Sequence, residues 1–244
     1  MKIIVVLGLV VATFGAAFAR QLPEFIHTCK RDTPDLGNCM KNSVEDLQPY
    51  LKKGIPEYKI PSLEPLVLDE LAASAGDIKL VLKNVTIHNA SNFKIINLKA
   101  NLSTLKFALN LELPSLQLTS HYDVDGKVLL RIQGNGPMEC TLNDCKGIVK
   151  FQFEKSQGDD GQTYLKLVEL KTTVSVGSGK LNLHNLFNGD QVLGEAVNSA
   201  INANFVAFEN EIKPGIEKGI SKKFTNIANS ILTQFTYDDL FPES

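Results

Sequence analysis

From Val197 to Phe235, large apolar residues return every three or four positions: Val197, Ile201, Phe205, Phe208, Ile212, Ile216, Ile220, Phe224, Ile227, Ile231 and Phe235. Ten steps across 38 residues average 3.8 per step, which predicts one face of an amphipathic α-helix about 57 Å long if unbroken. A coiled-coil seam would average 3.5. At about 100° per residue, a 3.8-residue stripe drifts by roughly 200° around the helix from end to end. A flat partner cannot follow such a spiral, whereas a sheet wrapped around the helix can. The polar side is assigned to Asn204, Glu209, Lys213, Glu217, Lys222 and Lys223, and Pro214-Gly215 predicts a kink or short break.

The residues from about Gly76 to Leu183 supply such a sheet. Leu105, Phe107, Leu109, Leu111 and Leu113 alternate with Lys106, Ala108, Asn110 and Glu112, and Leu116 to Val124 continue the period of two. Asp125-Gly126 predicts a tight hairpin returning through Val128, Leu130 and Ile132. Gly134-Asn135-Gly136 reads as a bend at a strand end. A strand then covers Gly147 to Glu154, and Gly158 to Gly161 turn the chain into a last run from Tyr164 to Val176. Short turns make the sheet antiparallel, with one dry face that the C-terminal helix must cover. Before it, Met40, Val44, Leu47 and Leu51 predict a helix that kinks or ends at Pro49 and stops at Gly54. Prolines at 56, 61 and 65 then favour an extended segment. Nothing divides the sheet from the helix, so residues 20–244 are read as one α+β domain.

The first nineteen residues have the three parts of a secretory signal peptide: Lys2, an apolar run from Ile3 to Phe14, and Ala17-Phe18-Ala19. The run is shorter than the roughly 20 residues a membrane-spanning helix needs. The expected product is therefore exported and extracellular, without stable membrane insertion. Its charge is close to neutral, since the whole chain carries 25 basic and 27 acidic residues. No basic block points to nucleic acid.

In an oxidising compartment the four cysteines allow three pairings. Short gaps favour Cys29–Cys39 and Cys140–Cys145 as disulfides. Neither pair has zinc-ligand spacing, so no metal is assigned. Sequons at Asn84, Asn89 and Asn101 are candidate N-glycosylation sites, of which one or two are expected to be used.

No catalytic residue is assigned. His27, His88, His121 and His184 are scattered, Gly177-Ser178-Gly179 follows Val176 where a nucleophile elbow needs glycine, and Gly134-Asn135-Gly136 lacks the third glycine of a dinucleotide fingerprint. No cofactor is implied. A binding function needs concave apolar surface, which a curved sheet around a helix provides. The candidate lining is Phe107, Leu109, Phe151, Phe153, Ile201, Phe205, Phe208, Ile212, Ile231 and Phe235. Periodicity does not separate a hollow interior from a filled one.

The order and spacing of several strings resemble the insect takeout and juvenile-hormone-binding proteins over essentially the whole mature chain. They are the Cys29 and Cys39 pair, Gly54-Ile55-Pro56 with Ile60-Pro61-Ser62-Leu63-Glu64-Pro65-Leu66, and His121 through Gly126, Leu130 and Gly134 to Gly136. Leu186-Phe187-Asn188-Gly189, Asn202-Ala203-Asn204-Phe205, Ile212-Lys213-Pro214-Gly215-Ile216 and Leu240-Phe241-Pro242 complete the set. Phe205 stands where that family usually has tryptophan. The resemblance implies a tubular lipid-binding fold in which a curved antiparallel sheet wraps a long helix around a hydrophobic tunnel. It also implies a secreted, monomeric carrier of a small hydrophobic ligand in haemolymph or sensory lymph, linked to circadian, feeding or courtship behaviour. The competing expectation is an extracellular signalling protein with a filled core that acts through an unidentified receptor.

Overall fold

The computed structural model describes residues 22–128 and 130–243; the leader expected at 1–19 lies outside them. In chain order the elements are α1 (Leu36–Lys53), β1 (Leu66–Ala75), β2 (Ile78–His88), β3 (Lys94–Asn101), β4 (Lys106–Val128), β5 (Leu130–Gln157), β6 (Thr163–Ser175), β7 (Ser178–Leu183), α2 (Gln191–Ala203), α3 (Phe205–Leu232) and α4 (Tyr237–Leu240). The seven strands form one antiparallel sheet in the order β1-β2-β4-β5-β6, with β3 also paired to β4 and β7 to β5.

The long hairpin β4–β5 is the spine. It stays in register from Lys106↔Gln152 to Val128↔Leu130. The predicted breaks inside it are absent: Gly134 and Gly136 lie within β5, and the chain reverses between Val128 and Leu130 rather than at Asp125-Gly126. Gly126 is needed for another reason. Its φ is 156°, and a Cβ there would lie 2.6 Å from the Ile78 Cα of the β1–β2 turn. Strands also begin earlier than expected, at Leu66, because β1 pairs with β2 through Leu66↔Ile87. The proline-rich segment before it is not wholly extended. Pro56–Tyr58 make a 3₁₀ turn, closed by pairing between Ile55 and Ile60.

Both helical prolines are tolerated. Helix α1 runs through Pro49 and α3 runs through Pro214. The break in the C-terminal stripe falls at Asn204, whose φ of −127° and ψ of 38° separate α2 from α3. Helix α3 packs against both β1 and β6, the opposite edges of the main strand path. One helix can touch both edges only if the sheet curls around it, as the drifting stripe required.

The two seams differ chemically. On the β6 side, helix side chains act as a substitute strand. The backbone N–H groups of Leu167, Thr172 and Val174 donate to Asn229 Oδ1, Ser221 Oγ and Glu217 Oε1 at 2.8, 3.2 and 2.8 Å. Asn229 also donates to the Leu167 carbonyl at 3.0 Å. On the β1 side the helix backbone itself comes close, since a Cβ on Gly219 would lie 2.6 Å from the Ala72 carbonyl oxygen. Helix α2 repeats the first device on β7. Asn202 and Asn198 each accept from and donate to the backbone of Leu181 and Leu183 respectively. Sheet edges with unpaired backbone groups invite intermolecular pairing; here helical amides occupy them.

Candidate functional site

The buried apolar residues gather in two clusters at opposite ends of the β4–β5 hairpin. One contains Leu66, Leu68, Val85, Tyr122, Ile132, Leu183, Leu186, Val197, Ile201 and Phe208, among others. The second contains Phe107, Leu165, Tyr237 and Phe241. Phe107 and Tyr122 are fifteen residues apart on the extended strand β4, roughly 50 Å at 3.3 Å per residue.

Tyr122 seals the first end: it is 0% exposed, and its hydroxyl donates to the His184 carbonyl at 2.6 Å. Burial pushes that phenol up to about 12. The second end is closed by α1, α4 and the N-terminal segment. Cys29 and Cys39 are disulfide-bonded with Cα atoms 6.1 Å apart, inside the usual range. Arg31 donates to the Phe241 carbonyl at 2.7 Å and pairs with Glu243 and Asp238.

Between the two ends the apolar side chains are only half-buried. Leu109, Leu111, Leu113, Leu116 and Leu118 of β4 are of this kind, as is Ile231 of α3, while Ile212, Ile216, Ile220, Phe224 and Ile227, also half-buried, pack against the first cluster. The ten predicted lining residues therefore do not form one patch. Phe107, Phe151 and Phe153 belong to the second cluster, with Phe107 and Phe153 edge to face at 5.3 Å. Ile201, Phe205, Phe208 and Ile212 belong to the first. Leu109 and Ile231 lie in neither cluster, and Phe235 is buried with its ring stacked on Tyr58 at 5.4 Å. The far edge of the Phe205 ring meets β7, where any Cβ on Gly179 would collide with it.

Two charged residues expected on the wet side of α3 are not there. Pro214, Lys218, Lys222 and Asn226 are exposed at four-residue intervals and mark the outer line of the helix. Phe208, Ile212, Ile216, Ile220 and Phe224 step along the opposite line at the same interval, whereas Glu209 and Lys213, 13% and 24% exposed, precede Glu217, Ser221 and Asn229 on the line that meets the β6 edge. Glu217 lies on the seam, bonded to Val174. The stripe was legible from its large apolar members, but the drift that brings the line of Glu209, Lys213 and Glu217 onto a seam with the sheet is not visible when polar residues are sorted by type alone.

The expected Cys140–Cys145 disulfide is absent; both are free thiols. They sit on one strand, Cys145 opposite Leu113 and Cys140 opposite Leu118, with a local break at Asp144, whose φ is 53°. Five residues of strand, even with that break, keep their Cα atoms beyond the roughly 7 Å limit for bridged cysteines. Burial first, then the neighbouring Cys145, pushes the Cys140 thiol up to about 12. Burial, then Asp144 and Glu209, pushes Cys145 up to about 11.

The sequons differ in setting. Asn84 is exposed at a register shift in β2 with φ 51°. Asn101 caps a turn by accepting from Ser103 Oγ and the Thr104 N–H at 2.8 and 2.9 Å. In the third, Ser91 is buried and its hydroxyl donates to Glu64. Asn101 also borders an open surface cleft of about 530 Å³, between Arg31–Gly37 and Asn97–Ser103; none of the apolar candidates lines it. Among the described residues no three His, Cys, Asp or Glu side chains meet as metal ligands, and no helix is long and apolar enough to cross a membrane.

Known proteins share this architecture. The crystal structure of Takeout 1 from Epiphyas postvittana superposes with a TM-score of 0.72, at 21% identity, covering 84% of this chain and 96% of that one. The circadian clock-controlled protein daywake of Drosophila melanogaster is 28% identical over 216 residues, which is 84% of this chain and 83% of that protein. A putative beta-carotene-binding protein of Schistocerca gregaria is 24% identical over 222 residues, 89% of this chain and 88% of that protein. The family model for haemolymph juvenile hormone binding protein matches residues 5–242, nearly the whole sequence, and the chain therefore belongs to that family.

Proposed function

We propose that this protein is a secreted, non-catalytic carrier that shields one elongated hydrophobic molecule in its interior. The observation that carries this reading is the half-buried apolar band between two sealed ends. The inward-facing leucines of β4 from Leu109 to Leu118 belong to neither packed cluster and stay only half-buried, which marks space beside them, since protein cores otherwise close such space. Apolar concave surface with few polar groups is what small-molecule sites are made of. Burying a fifteen-carbon chain would contribute roughly 10 kcal/mol before association costs. Membership of the juvenile hormone binding family supports the class of cargo, as does the beta-carotene-binding relative. The relation to daywake supports a role in rhythmic physiology.

Native mass spectrometry of the chain secreted from insect cells tests the proposal. A co-purifying apolar molecule, or stoichiometric uptake of an apolar fluorophore after delipidation, is the expected result. Preparations that are empty and take up no probe would overturn it in favour of a filled, receptor-binding protein.

A further inference from the structure

The register of strands β3 to β6 assembles a charged face that the sequence disperses. Lys99 lies opposite Ala108, Ala108 opposite Lys150, and Lys150 opposite Lys171. This row crosses four strands in about 14 Å. Lys106 stands in the next outward row on one side, opposite Asn101 and Gln152. Two outward rows away on the other side, Lys94 and Lys146 flank Glu112. All six lysines are exposed, whereas Phe107 and Leu170 at the alternate positions are buried. The six ammonium groups therefore share the outer face of the sheet.

Two carboxylates neighbour them: Glu112 pairs with Lys146 at 3.6 Å and Glu169 with Lys171 at 2.7 Å. Among the described residues, Lys94, Lys99, Lys106 and Lys150 enter no ion pair. Like charges directly opposite one another destabilise a ladder, and Lys150↔Lys171 is such a pair. The excess is local, since the whole chain holds 25 basic and 27 acidic residues. Toward the other end of the sheet, Lys79 faces Asp125, Lys83 faces Glu70, and Arg131 pairs with Asp125 at 2.7 Å.

The chemistry and shape of the face select its partner. Lysines offer compact charges on flexible stems, suited to an array of separate anionic groups rather than to the bidentate forks that arginine makes. The sheet curls around α3 and touches it at both edges, so its outer face is convex. A planar bilayer meets a convex face along one line, whereas a flexible polyanion bends across the lysine row and reaches every member. We propose that the row of Lys99, Lys150 and Lys171, with its flanking lysines, binds an extracellular sulfated polysaccharide. The inference rests on export of the chain and not on what its interior holds.

The experiment titrates the full chain, purified from the medium of insect cells, with heparin over a series of salt concentrations. Log affinity falls linearly with log salt as counterions are displaced. Lys99→Gln combined with Lys150→Gln removes two charges that no ion pair uses. Affinity drops about thirtyfold, taking roughly fivefold for each lysine beside an anionic surface, and the salt slope shrinks. Lys79→Gln combined with Lys83→Gln removes the same charge from the balanced end and leaves binding at the wild-type level. Desulfated heparin of equal length binds more weakly than heparin. No binding at physiological salt, equal losses in the two double variants, or a preference for phosphatidylserine-containing vesicles over heparin overturns the proposal. Each leaves the carrier reading standing, because uptake of an apolar fluorophore by the same preparation is read separately. Absence of the chain from the medium overturns both.

Discussion

Cysteine chemistry separates the two pairs that spacing had made look alike. Cys29 and Cys39 flank the first turn of α1, where the chain doubles back, and their Cα atoms come within 6.1 Å. Cys140 and Cys145 lie on one strand, opposite Leu118 and Leu113 of β4, and remain free thiols because five residues of strand hold them apart. Thiol titration under non-reducing conditions is expected to find two reactive groups per chain in denaturant and almost none in the native protein. Burial protects both, and their raised pKa values keep the reactive thiolate scarce near neutral pH. No thiols in denaturant would mean that the strand register is wrong. Glu209 teaches a related lesson, since its residue type suggested solvent and its side chain is only 13% exposed.

At the level of elements, the seams between helix and sheet carry the architecture. Asn202 and Asn229 are unremarkable in a helical sequence, yet each pairs with both backbone groups of one edge residue, Leu181 or Leu167. Replacing Asn229 with Ala leaves a buried donor and acceptor unmatched, and the urea midpoint is expected to fall by the equivalent of about 1–3 kcal/mol. A surface control such as Asn226→Ala should change little. If both variants match the wild type, the helix does not serve as a substitute strand. Prolines were a poor guide to helix ends here. Pro214 lies on the outer line, where its missing N–H and the carbonyl it displaces can reach water, so the helix continues. Asn204 breaks it instead, at the point where the helix leaves β7 and meets β6 and β1.

For the whole molecule, the question is whether the middle of the tube is hollow. Ile231→Trp adds bulk on the inner line at a residue outside both packed clusters. In a hollow interior the indole enters free space, so thermal stability holds and uptake of an apolar fluorophore falls severalfold. In a filled one, overpacking is expected to cost about 1–3 kcal/mol. Unchanged uptake together with lost stability would therefore argue against a carrier. By itself the sequence determined the α+β class, the helical stripe and its drift, the alternating strands and the family resemblance. Each of these is written in local spacing or in the order of short strings. Tertiary structure alone decided that β4 and β5 form one long hairpin, that Cys29 bonds Cys39 while Cys140 and Cys145 stay apart, and that Glu209 and Lys213 are mostly buried. It also decided that the apolar residues pack fully only at the two ends. Those outcomes depend on which surfaces meet in three dimensions, and a residue's spacing along the chain does not carry its distance from a partner a hundred positions away.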